Sequence, residues 1–238
     1  MLTDILRNTL CITPACLPIG DQANMLSDTP LSTIAREIQT CTRCDLYKGT
    51  TQGVPGSGNP HAEVMLIGEA PSGYDDKRGY PFSGPTGPFL DQLLALANLS
   101  RGEVFLTNIV KHWAREGRSP LPAEIAACAP YLTRQIAAVD PLLICTLGRF
   151  ALARFFPKGT ITALHGQAKI VAGRVVLAMY NPAAALHREE LHQMVVHDFT
   201  HALPAALAEA RRLAAEGKLG RSASTDTDDE PPQQMTLF

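Results

Sequence analysis

Val64-Met-Leu-Ile-Gly-Glu-Ala-Pro-Ser-Gly-Tyr-Asp-Asp76 is the stretch that decides the fold. The apolar run Val64–Ile67 suits a short strand buried on both faces, and Gly68 to Gly73 end it with small residues and a proline. Such a loop lets a ligand approach the backbone closely. Three more apolar runs rich in Val, Ile and Leu follow, at Val104–Val110, Leu142–Leu147 and Val175–Tyr180. Helical spacing marks Leu31–Thr40, Gly87–Ala97, Ala123–Val139, Arg149–Phe155 and Glu189–Glu216. Alternating strands and helices predict a layered α/β fold.

The chain has 238 residues, 45% of them apolar, enough for one good core. It has no run of 18 apolar residues, so no membrane span is expected, and its first residues do not read as a signal peptide. A cytoplasmic location is expected, because six cysteines that include a Cys-x-x-Cys suit a reducing compartment better than a disulfide framework. Net charge is −2, but residues 221–238 alone carry −3, which leaves the body near +1. Any nucleic-acid site must then be a local basic patch. Three parts are expected: an extension over 1–30 with no assignable role, a folded domain over 31–216, and a disordered acidic tail over 217–238.

Cys41-Thr-Arg-Cys44, His112 and Cys128 form a candidate metal set. A Cys-x-x-Cys with two later soft ligands suits zinc or an iron–sulfur cluster, and the donors alone do not separate the two. Cys145 lies mid-strand and reads as core. Glu69 falls at the carboxyl end of its strand, where open α/β sheets bind ligands. Gly84 and Gly87 precede a helix, whose N–H groups suit an anion. Asn108 interrupts an apolar strand, and its amide offers donor and acceptor together, as reading a base edge requires.

Six motifs follow one another in order. They are Gly68-Glu-Ala-Pro71, Gly79-x-Pro-Phe82-x-Gly84-x-x-Gly87, Thr107-Asn-Ile-Val-Lys111, Cys128-x-Pro-Tyr-Leu132, Leu147-Gly148 and Asn181-Pro-Ala-Ala-Ala-Leu186. Over roughly residues 38–205 the chain resembles the family 4, iron–sulfur, uracil-DNA glycosylases. The resemblance implies a three-layer α/β/α sandwich with a central four-stranded parallel sheet. It also implies a 4Fe–4S cluster on Cys41, Cys44, His112 and Cys128, and action on DNA containing uracil in base excision repair. By position, Glu69 corresponds to the carboxylate near the attacking water, and Phe82 to the aromatic stacked on uracil. Asn108, with Gly68 and Ala70 beside it, corresponds to the group on the uracil edge. Leu186 falls where a side chain wedges into the base stack, in the loop that Asn181 opens. Such an enzyme must extrude the nucleotide, because the bond it breaks is unreachable within the stack.

The chain departs from that family twice. His112 stands where a cysteine is usual, and histidine is an acceptable cluster ligand. Asn181 stands where the second catalytic motif has histidine; it can donate a hydrogen bond but carries no positive charge. A glycosylase for another deaminated base, or a weakened uracil-DNA-binding protein, is the alternative that this change raises. The related family X enzymes bond covalently through a loop histidine; Arg115–Pro120 has none, so covalent trapping is not expected. Lys111, Arg115, Arg118 and Arg188 are the candidate phosphate contacts. His165 is expected in a turn, and His187 beside phosphate. Gln234-Met-Thr-Leu-Phe238 resembles the peptide by which bacterial repair proteins dock on the sliding clamp. A monomer is expected.

Overall fold

The computed structural model describes residues 29–186 and 188–220, together with the backbone of 234–236. Strand order across one mixed sheet of seven strands is β1-β3-β2-β4-β6-β5-β7. The strands are β1 (Ser57–Gly58), β2 (Val64–Gly68), β3 (Val104–Asn108), β4 (Leu143–Leu147), β5 (Ala168–Val171), β6 (Arg174–Met179) and β7 (Gln234–Thr236). The four strands at its centre, β3-β2-β4-β6, run parallel, whereas β1, β5 and β7 pair antiparallel at the two sides. The expected sheet of four parallel strands is therefore corrected to a mixed sheet that contains them. The added strands are short or half-buried, so they lack the continuous apolar run that marks a central strand.

Alternation along the central strands builds the three layers. Val64, Leu66, Leu106, Leu143, Cys145, Leu147, Val175, Leu177 and Met179 face one core. Met65, Ile67, Phe105, Ile144, Val176 and Ala178 face the other. Successive side chains of a strand point to opposite faces, so a strand apolar throughout must be covered twice. The second face is covered by α1 (Pro30–Gln39), through Ile34 and Ile38. A short helix α2 (Gly73–Arg78), absent from the sequence reading, follows β2. Helix α3 (Thr86–Leu96) covers the first face with Leu90, Leu93 and Leu94. Helices α4 (Pro122–Val139) and α5 (Arg149–Phe155) return to the second face with Tyr131, Leu132, Ala151 and Leu152.

Beyond α6 (Ile161–Leu164) and α7 (Pro182–Ala185), the helix expected over Glu189–Glu216 stays helical throughout but contains a π-bulge. It forms α8 (Glu189–His197), a π-helical stretch over Asp198–Ala202, and α9 (Leu203–Ala215). Pro204 lies in the first turn of α9 and has no N–H to donate to the turn before it, which opens the ladder there. Phe199, Leu203, Ala206, Leu207 and Ala210 complete the first core.

Within the expected tail, the backbone of Gln234–Thr236 pairs with β5, Met235 opposite Ile170. Residues 1–28, His187, 221–233, Leu237 and Phe238 lie outside the described residues, and with them the expected N-terminal extension and part of the clamp-like peptide. Among the described residues no helix is long and apolar enough to cross a membrane. Leu177, fully buried at the centre of β6, tests the first core. Leu177→Ala is expected to lose about 2–5 kcal/mol of stability in urea unfolding at constant m-value.

Candidate active site

Parallel strands in register end at one level. Gly68 closes β2 directly opposite Asn108, which closes β3. Gly148 follows β4, and Asn181 follows β6 by two residues. At this carboxyl edge lies a cavity of about 340 Å³, lined by Glu69, Ala70, Phe82, Asn108, Asn181 and Leu186. All six are residues that the sequence reading singled out. Open α/β sheets bind ligands at this edge, because loops from several strands converge there.

Gly68 does not line the cavity itself but sets how closely its walls approach. A Cβ on Gly68 would overlap Oδ1 of Asn108 and stand 3.0 Å from Cζ of Phe82, so its absence lets the amide and the ring meet above the strand end. Asn108 is buried. Glu69 is half-buried, and its backbone carbonyl accepts the Val110 N–H at 3.2 Å. That bond carries the β2–β3 pairing past the strand ends and sets where the carboxylate emerges. Asn181 caps α7: its Oδ1 accepts the Ala183 N–H at 2.9 Å. With the oxygen engaged, the Nδ2 hydrogens remain to donate. Gly148, at φ +89°, makes room for Asn181; a Cβ there would lie 3.2 Å from that of Asn181. Leu186 is 40% exposed at the rim.

Ser72, Tyr74 and Asp75 also line the cavity, and the sequence reading missed them. Their signal was Ser72-x-x-Asp75, which forms a capping box at α2: Ser72 Oγ accepts the Asp75 N–H, and Asp75 Oδ2 accepts the Ser72 N–H.

The cationic residues divide. Arg115 and Arg188 are exposed. Arg118 is exposed but holds Glu124 bidentately, at 2.8 and 2.7 Å. Lys111 is corrected: it has no exposed surface, and its ammonium donates to Thr107 Oγ1, the Asn108 carbonyl and Gln135 Oε1 at 2.8, 2.6 and 2.7 Å. All three donors are spent inside the protein, so it reaches no phosphate. Burial pushes its pKa down to about 7. His165 lies 3.3 Å from Asp198 and packs on Tyr180, more than the turn residue expected.

Cys41 and Cys128 are buried, and Cys44 packs beside them. Burial raises the pKa of both Cys44 and Cys128, the latter to about 11; Cys128 also feels Cys44 and Cys41, and Cys44 feels Cys41. His112 is buried, and its Nδ1 is the one fully buried side-chain nitrogen or oxygen without a partner among the described residues. Burial also lowers its pKa, favouring the neutral ring that ligates metals. Among the described residues no three donors close on one point as a single ion requires. Three neighbouring thiols and one orphaned imidazole nitrogen are a donor set that fits an iron–sulfur cluster or zinc.

A cavity at a parallel-sheet edge, lined by an aromatic, an amide and a carboxylate, defines an α/β protein with a polar ligand pocket at its carboxyl edge. A profile of the uracil DNA glycosylase superfamily matches residues 55–204. The chain is 39% identical to the type-4 uracil-DNA glycosylase of Archaeoglobus fulgidus, over 71% of this chain and 89% of that protein. It is 39% identical to that of Saccharolobus solfataricus, over 71% and 83%. Identity to the Thermotoga maritima type-4 enzyme is 33%, over 71% and 91%. The chain belongs to the uracil DNA glycosylase superfamily.

Lys111→Met would remove the ammonium donor from three buried acceptors, of which Gln135 Oε1 keeps the Thr107 hydroxyl at 3.1 Å. It is expected to cost about 1–3 kcal/mol of stability while leaving the salt dependence of DNA binding unchanged. The folded pKa lies below the ordinary 10.5, so the unfolded chain binds the proton more tightly. Parent stability therefore rises with pH from about 7 to about 10.5, and this rise is absent in the variant, as unfolding at several pH values would show.

Proposed function

We propose that the chain is a monofunctional uracil-DNA glycosylase of base excision repair. The observation that carries this reading is the convergence of Glu69, Phe82, Asn108 and Asn181 on one cavity, with exposed Leu186 at its rim. Type-4 naming of its relatives supports it.

In this mechanism the deoxyuridine leaves the stack, and Leu186 fills the gap it vacates. Phe82 stacks on the extruded ring. The Asn108 amide pairs with the uracil edge, accepting from the ring N–H and donating to a carbonyl. Cleavage of the bond between C1′ and N1 leaves positive charge on the sugar and negative charge on uracil. Glu69 stabilises the first and orients the water whose oxygen joins C1′. The Asn181 Nδ2 donor stabilises the second, and the departing base takes up the proton that the water releases. Asn181 cannot supply an imidazolium, so it acts by hydrogen bonding alone. Arg115 and Arg188 contact phosphate, with Arg118 at the same surface.

Cys41, Cys44, His112 and Cys128 hold a 4Fe–4S cluster in this reading. Its orphaned Nδ1 supports His112 as a ligand. The cluster supplies structural cross-linking and no redox turnover. The four ligands join the segment after α1, the end of β3 and helix α4 on one face of the sheet. A cytoplasmic monomer fits the composition, and the Gln234–Phe238 peptide would tether the enzyme to the sliding clamp.

An oligonucleotide with one uracil, cleaved by alkali after incubation, tests the activity; hypoxanthine and thymine-mismatch strands test the alternative substrates. Cleavage at uracil alone is expected, and cleavage only at hypoxanthine would overturn the uracil assignment. Asn108→Ala is expected to slow release at least about 10²-fold with non-specific DNA binding unchanged. Iron analysis is expected to return about four irons per chain, falling in His112→Ala. A colourless, zinc-loaded protein would refute the cluster.

A further inference from the structure

We infer that Arg101 and Asp75 are positioning residues that lock Phe82 for ring stacking, an inference resting on the reading of Phe82 as the stacking residue. Phe82 has φ +53°, a left-handed backbone that L residues other than Asn and Asp rarely adopt. Strained backbone of this kind persists only where its surroundings over-determine it, and it clusters at functional sites.

Here the surroundings are specific. Asp75, itself buried, accepts the Ser83 N–H and the Ser83 hydroxyl on Oδ1, both at 2.7 Å. Its Oδ2 accepts the Ser72 N–H at 2.8 Å. One carboxylate thus ties the loop after Glu69 to the loop that carries Phe82. Arg78 donates to the Ser83 carbonyl. On the other side, Arg101 Nη2 donates to the Phe82 carbonyl at 3.0 Å and to the Gly87 carbonyl at 3.1 Å. Its Nε is held by Asp91 of α3. Gly87 leaves the space for this: a Cβ there would come within 2.6 Å of the Phe82 carbonyl oxygen and 3.2 Å of Arg101 Nη2.

Phe82 is therefore held from both sides by its own carbonyl and by the next residue. Between them the two clamps bond to Ser83 and to the backbone around Phe82. Arg101 does not line the cavity at all. Ordinary packing would leave Phe82 in a relaxed backbone and its ring to search for the base. The clamp fixes the ring before the base arrives, so the binding step does not have to order it.

A double-mutant cycle tests this by single-turnover uracil excision. Arg101→Met is expected to slow excision by about tenfold to 10²-fold. Phe82→Ala should slow it at least as much. The double variant is expected to be no slower than Phe82→Ala, because without the ring there is nothing to position. Arg101→Lys, which keeps the charge but not the two-pronged donor, should recover part of the rate. Asp75→Asn should be masked in the Phe82→Ala background in the same way. Affinity for undamaged duplex should stay at the parent value throughout. Losses that multiply in the double variant, or Arg101→Met at the parent rate, would overturn the clamp and leave the stacking role standing. Phe82→Ala at the parent rate would sink the stacking reading itself, and the clamp with it.

Discussion

The site depends on the register of β2 against β3. Parallel pairing sets Gly68 opposite Asn108 and continues one step further, through the bond from the Val110 N–H to the Glu69 carbonyl. Two neighbouring strands thus end together, one in a residue without a side chain and the other in an amide. A one-residue slip would turn every side chain of β3 to the opposite face, and Asn108 would leave the cavity. The double coverage of the sheet opposes that slip, because both faces of β3 are packed, Leu106 into one core and Phe105 into the other.

The end of β3 serves the proposed metal centre as well. Within five residues the chain passes from Asn108 in the cavity, through buried Lys111, to His112 with its unpartnered nitrogen. Lys111 binds the Asn108 carbonyl and reaches Gln135 of α4, the helix that also carries Cys128. A cross-link at the proposed cluster and the hydrogen bonds of one lysine therefore hold the same strand end from the same side. Buried polar groups of this kind are stable only when all their donors are matched, as those of Lys111 are.

Strain at Phe82 and the order around it belong together. A carboxylate and two guanidinium groups surround two consecutive peptide units, and helix α3 begins immediately after them. The loop is far more densely hydrogen-bonded than its glycine and proline content suggests. Backbone freedom at Gly84 and Gly87 is used for close approach, to Tyr74 and to the Phe82 carbonyl, and not for mobility.

The sequence by itself determined the layered class, the central strands and six of the residues around the cavity, Glu69, Ala70, Phe82, Asn108, Asn181 and Leu186. Those features are written in local patterns: apolar runs of strand length, small-residue loops behind them, and ordered motifs close to the chain positions they occupy. Only the tertiary structure decided the rest. The antiparallel flanking strands are too short and too mixed to stand out, and Pro204 widened one turn of a helix whose apolar spacing runs on past it. Lys111 read as a surface cation because a sequence shows charge and not depth; Thr107, Asn108 and Gln135 enclose it only once α4 packs on the sheet. Arg101 was equally silent, and the capping-box pattern Ser72-x-x-Asp75 marks the bond of Asp75 to Ser72 but not those to Ser83. The partners missed in this way lie 8 to 19 residues away in the chain, and hydrogen bonds across that distance form only when strands and helices have already brought the loops together.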